Sequence, residues 1–162
     1  MTVTFSEASH SIELVNKSLV SDQLWTRLVN RIVKDENVDM ALAERIMDQA
    51  LAFLRLCSAE PEGCYSPSPL VDIGWHTFIL YTREYAAFCR GLGSQFIHHA
   101  PSDEDGVDYG TGNITRTVAA LKQHGIGVDE PLWANTGHNC SNYCSGDSCS
   151  GGGGDGDSGC SH

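Results

Sequence analysis

Two sets of side chains in this sequence are of types that can do chemistry. The first lies at the C-terminal end, where His138, Cys140, Cys144, Cys149, Cys160 and His162 offer sulfur and imidazole donors. Those are the ligands of soft or borderline ions such as Zn²⁺. Their spacing, C-x3-C-x4-C-x10-C-x-H, departs from the paired C-x2-C knuckles of zinc ribbons. Glycine between the donors lets them converge, and it raises the ordering cost of doing so. Zinc ligation releases enough free energy in small peptides to overcome such costs. The second set is Asp72 and His76, four residues apart and therefore on one face if the segment is helical, followed at a distance by His98 and His99. A carboxylate that orients a histidine suits a general base or a metal ligand with its supporting group. It equally suits a polar pair satisfied inside a core.

Whether His98 or His99 can join His76 on one ion depends on the intervening chain. A helix running to Leu92 puts roughly 24 Å of axis between His76 and its end. The six residues back to His98 span only about 20 Å when fully extended. A shared site therefore requires the helix to break early, near Arg90-Gly91. On this arithmetic the tail is the leading metal candidate, with His76, His98 and His99 behind it.

The same tail supports a reading of another class. Cys and Ser set in glycine, as in CSGDSCSGGGG and SGCSH, resemble the cores of ribosomally made, modified peptides. In that case the preceding domain acts as a leader or carrier for the modifying enzyme. Cysteine nucleophilic catalysis has little to stand on, because Cys57 and Cys89 occupy apolar helical positions and no histidine can be placed beside Cys64. GTGN (110–113) lacks the lysine and spacing of a phosphate-binding loop.

The elements that hold these residues read as helices. Ser21 caps a helix over about Asp22–Asp35, with Leu24, Trp25, Leu28, Val29, Ile32 and Val33 on one stripe. Asp39 caps a second, ending near Ser58. Ser68-Pro69 starts a third, apolar on nearly every side, that is expected to run to about Leu92 as the central element. A fourth begins near Asn113 and closes at Gly125, and a turn near Asp129–Ala134 brings Trp133 back onto the bundle. PSDEDGVDYGT (101–111) reads as a solvated acidic loop. The expected fold is all-α, with about four helices around a central apolar helix over about 69–92. Residues 1–20 are read as a flexible N-terminus, 21–135 as the helical domain and 136–162 as a disordered Cys/Gly-rich tail.

Composition narrows the classes of partner. The formal net charge is −11, and no Lys or Arg follows Lys122. Nucleic acid and anionic membranes call for basic surface, so neither is expected as the partner. MTVTFSEASH has neither a basic n-region nor an apolar h-region, and no apolar run approaches the roughly 18–20 residues of a membrane span. The expected address is the cytoplasm, where an odd count of seven cysteines argues against a disulfide framework.

The stretch SPLVDIGWHTFILYTREYAAFC (68–89), followed by FIHHAP (96–101), resembles the glycine-rich-domain-containing-protein-like family. The resembling positions are Asp72, Trp75-His76, Tyr85, Cys89 and the later His-rich turn, and the glycine-rich C-terminus fits as well. The resemblance implies a helical module with a low-complexity tail, and it carries no catalytic residues. The functional expectation is a non-enzymatic protein that takes up Zn²⁺ or a similar ion through its tail and binds an unknown protein partner through its helices. The alternatives are the modified-peptide precursor and an acid/base or metal-assisted enzyme using Asp72 and His76.

Overall fold

The computed structural model describes residues 13–100, 111–134 and 143–145, and the fold is all-α. A 3-10 turn, Val15–Leu19, precedes α1 (Asp22–Glu36), α2 (Met40–Ala59), α3 (Pro69–Ile79) and α4 (Thr82–Gly91). A short strand β1 (His98–Ala100), α5 (Thr111–Gln123), a second 3-10 turn (Glu130–Trp133) and strand β2 (Tyr143–Ser145) complete the order. Among the described residues no helix is long and apolar enough to cross a membrane.

The helix starts follow from local chemistry. Ser21 accepts from the Leu24 amide at 3.2 Å, Asp39 from Leu42 at 2.8 Å and Ser68 from Val71 at 3.2 Å. Each satisfies an amide that the helix cannot. Pro69, without an N–H to lose, sits in the first turn of α3. Gly125 adopts φ 66°, and the Ile126 amide reaches back to Leu121 O, which closes α5.

α2 is the most enclosed element, in contact with α1, α3, α5 and the first 3-10 turn. Its buried residues run around the helix from Ala43 to Cys57. Polar side chains on this buried helix tie both 3-10 turns to it. Asn16 donates its backbone and side-chain amides to the Asp48 carboxylate at 2.8 and 3.1 Å, so ordered structure starts ahead of Ser21, inside the segment expected to be flexible. Gln49 Oε1 accepts from the Asp129 amide and from Trp133 Nε1 at 3.0 and 2.7 Å, which docks Trp133 on the bundle.

The expected central helix over about 69–92 is two helices. α3 stops at Ile79, and α4 starts after Tyr81, whose φ and ψ of −92° and 62° are not helical. No Gly or Pro marks the break, and tertiary packing supplies the reason. In one straight helix Trp75 and Tyr85 would stand about 15 Å apart along the axis and point to different sides. The elbow instead turns Tyr85 onto α3, where the Trp75 indole N–H donates to its hydroxyl at 2.9 Å. Phe78 packs on Tyr85 and Phe88 with ring centroids at 5.2 and 5.1 Å. Arg27 of α1 holds the outer side, lying over the Tyr81 ring at 4.8 Å and pairing with Glu84 at 3.0 Å. The apolar residues that seemed to cover every side of one helix therefore form two separate faces.

Tyr85 is fully buried and also donates to Ile97 O at 2.7 Å, which pins the chain entering β1. Burial pushes its phenol far above the ordinary tyrosine range, so it serves as a neutral relay of hydrogen bonds. Tyr85→Phe is expected to leave the Trp75 N–H and the Ile97 carbonyl without this partner. The expected loss is about 1–3 kcal/mol, read as a lower denaturation midpoint with unchanged slope.

Candidate metal centre

The early break changes what His99 can reach. β1 lies beside α3, and the His99 imidazole contacts the face that carries Asp72 and His76. Its Nε2 is 3.0 Å from Asp72 Oδ1, and His76 Nδ1 is 3.1 Å from Asp72 Oδ2. The two imidazoles meet at a tilt of 54° with centroids 4.1 Å apart, and Trp75 closes the inner side at 4.5 Å from His99. The Asp72 side chain is 4 % exposed and that of His99 11 %, whereas His76 is 55 % exposed. The group is therefore rooted in the core and open to solvent on one side.

Each feature has a local cause. The i, i+4 spacing on α3 brings His76 back over Asp72, and its Nδ1 also lies 3.1 Å from Asp72 O. Burial alternates into β1, with Ile97 buried and His99 nearly so, while His98 is exposed and its ring lies tilted against Phe96 at 4.8 Å. His98 therefore faces away from the group, and of the two adjacent histidines only His99 belongs to it. Tyr85 fixes the approach through Ile97. Cys89, another residue of this neighbourhood, is fully buried, and burial pushes its thiol up.

The hydrogen bond to Asp72 raises the His76 pKa above the ordinary histidine value, against an opposing effect of partial burial. In the metal-free protein this pairing adds stability below the unfolded histidine pKa and loses it as pH rises through the raised folded value.

The donor atoms of Asp72, His76 and His99 lie within 4.8 Å of one another, a possible metal-binding group. A tetrahedral ion with bonds of about 2.0–2.1 Å sets its donors about 3.4 Å apart. The two carboxylate–imidazole separations are close to that spacing. The expected requirement for an early helix break was sound, but the break falls at Leu80 and not near Arg90-Gly91. Of the tail donors, Cys144 lies on β2, while His138, Cys140, Cys149, Cys160 and His162 lie outside the described residues. The tail reading over 136–162 is likewise outside them, apart from Tyr143–Ser145, which pairs with β1.

Neither the curated proteins nor the solved structures contain a match to this chain. A family profile described as UCP032817-like matches residues 13–108, a span that holds α1 to α4, β1 and all three residues of the group. On that match the chain belongs to the UCP032817-like family.

Proposed function

We propose that this protein binds a divalent transition-metal ion of the zinc type through Asp72, His76 and His99. The observation that carries this reading is the buried Asp72 carboxylate placed between two imidazoles from different elements, 3.0 and 3.1 Å from their nitrogens, with the three donors within 4.8 Å of one another. A carboxylate so deeply buried is costly without cationic partners, and an ion bridging the three donors is a strong one. Two neutral imidazoles and one carboxylate match the preferences of Zn²⁺, and iron(II) accepts the same set. The formal net charge of −11 suits a protein that attracts cations. The contribution of the chain is to hold the donors: Asp72 and His76 on α3, His99 through the Trp75–Tyr85–Ile97 chain of hydrogen bonds.

Titration of the reduced full-length protein with Zn²⁺, read by calorimetry and by native mass spectrometry, tests the reading. One ion per chain is expected, and uptake is expected to disappear in a His76→Ala/His99→Ala double variant. Binding that survives the double variant, or no binding by the unmodified chain, overturns it. Elemental analysis of protein purified without chelator distinguishes zinc from iron.

A further inference from the structure

An apolar groove of about 370 Å³ lies between the start of α1 and the outer face of α4. Leu19, Val20 and Leu24 line one side, and Ala87, Phe88 and Leu92 the other. Leu19 is 36 % exposed, and Ala87 is exposed as well. Contiguous apolar surface rimmed by polar groups marks interaction sites. α4 turns Glu84, Ala87, Phe88 and Gly91 to the groove, which is the spacing of one helical face. Arg83 and Arg90, both exposed, flank Ala87 at i−4 and i+3, so they share the rim beside it. Neither has an ion pair among the described residues, whereas Glu84 is already paired with Arg27 at 3.0 Å. The segments that bound the groove, 15–36 and 82–91, hold six of the ten Lys and Arg but only four of the 21 Asp and Glu. A chain of net charge −11 is therefore locally basic around this apolar surface.

We propose that the groove docks an amphipathic helix of a partner protein, with leucine-like side chains on its buried face and carboxylates along one edge. An apolar cleft between two helices takes the ridge of a third, in the way grooves accept amphipathic helices elsewhere. Arg83 and Arg90 are seven residues apart, about 10.5 Å along the axis, so two carboxylates seven apart on a helix lying along α4 meet both. The basic rim also argues against a second copy of the chain. A two-fold dimer through this face sets like patches against each other, here the guanidinium rims. The proposal rests on no part of the metal-binding reading.

The test is selection of a displayed library of 15-residue helix-forming peptides on the full-length chain. Leu is fixed on one face, and each flanking position is free to be Glu, Lys or Gln. Enriched peptides are expected to carry Glu at two positions seven apart. Their binding as soluble peptides is expected to weaken roughly tenfold in Arg83→Glu/Arg90→Glu. Lys in place of those two Glu is expected to restore it, which a variant that merely unfolds could not show. Ala87→Gln/Gly91→Gln fills the groove with polar side chains from exposed positions and is expected to abolish binding. No enrichment over that double variant overturns the proposal, and so does binding that ignores the charge reversal. Self-association of the unmodified chain that the same double variant abolishes makes a second copy the occupant and overturns it too.

Discussion

Asp72→Asn is expected to weaken Zn²⁺ binding by more than a hundredfold while leaving the helices folded. The substitution keeps the shape of the side chain and removes its charge. An ion held by two neutral imidazoles and an amide keeps both of its charges in a place where the side chain is only 4 % exposed. The carboxylate removes one of them, which is why the loss should exceed the roughly 10–100-fold typical of an outer-shell substitution. The metal-free protein changes too. An amide can accept from one histidine but turns its own N–H groups toward the other, and about 1–3 kcal/mol of stability should go. Thermal unfolding with and without Zn²⁺ separates the two effects. At a free ion concentration a hundred times Kd, the unmodified chain should gain about 2.7 kcal/mol. Asp72→Asn should gain almost nothing. If both proteins respond equally to Zn²⁺, the ion is bound elsewhere. If neither responds, the Asp–His–His group is a hydrogen-bonded polar cluster and no metal centre.

The second large effect belongs to Gly74, midway between Asp72 and His76 on α3. A Cβ built there would lie 2.7 Å from the Ala50 Cβ and 3.0 Å from the Ile46 carbonyl oxygen of α2. Neither contact is the free end of a long side chain, so the helices themselves must separate. Gly74→Leu adds three further carbons at the same point, and a loss at or above the upper end of the usual 1–3 kcal/mol for overpacking is expected. For a domain with about 5–15 kcal/mol in total, that is a large share. Gly74→Ala should lose less, because alanine recovers up to about 1 kcal/mol of helix propensity. Gly91→Ala is the matched control, since its Cβ meets nothing within 4 Å. Urea unfolding of the three variants checks this, and equal stability at positions 74 and 91 would mean that α2 and α3 are not in this close contact.

Much of the architecture was legible because it is written in short-range signals. Ser21, Asp39, Ser68-Pro69 and Gly125 mark helix ends within a turn of where they occur. The elbow at Leu80-Tyr81 was not legible, since no residue there is a helix breaker and its cause is the buried Trp75–Tyr85 contact. That one omission hid the candidate site. The reach arithmetic from His76 to His99 assumed a continuous axis, and the elbow removes the assumption. Two traces of the site were nevertheless present. Asp72 and His76 were correctly placed on one face, and the adjacent His98 and His99 were named as further donors, although Phe96-Ile97-His98-His99 has no apolar–polar alternation to say which of them faces the group. The pairing of β2 with β1 had no trace at all, because a strand of three residues, Tyr143–Ser145, is too short to carry a pattern that specifies its partner or register.

The elbow also bears on the order in which the protein can assemble. Trp75 and Tyr85 are ten residues apart, Tyr85 and Ile97 twelve, and Asp72 and His99 twenty-seven. All of these are modest separations, and α2, against which α3 packs, precedes them in the chain. Contacts of low sequence separation form fastest, and synthesis proceeds from the N-terminus. Asp72, His76 and His99 can therefore meet while α5 is still unmade, so that this polar group needs nothing C-terminal to β1 in order to form.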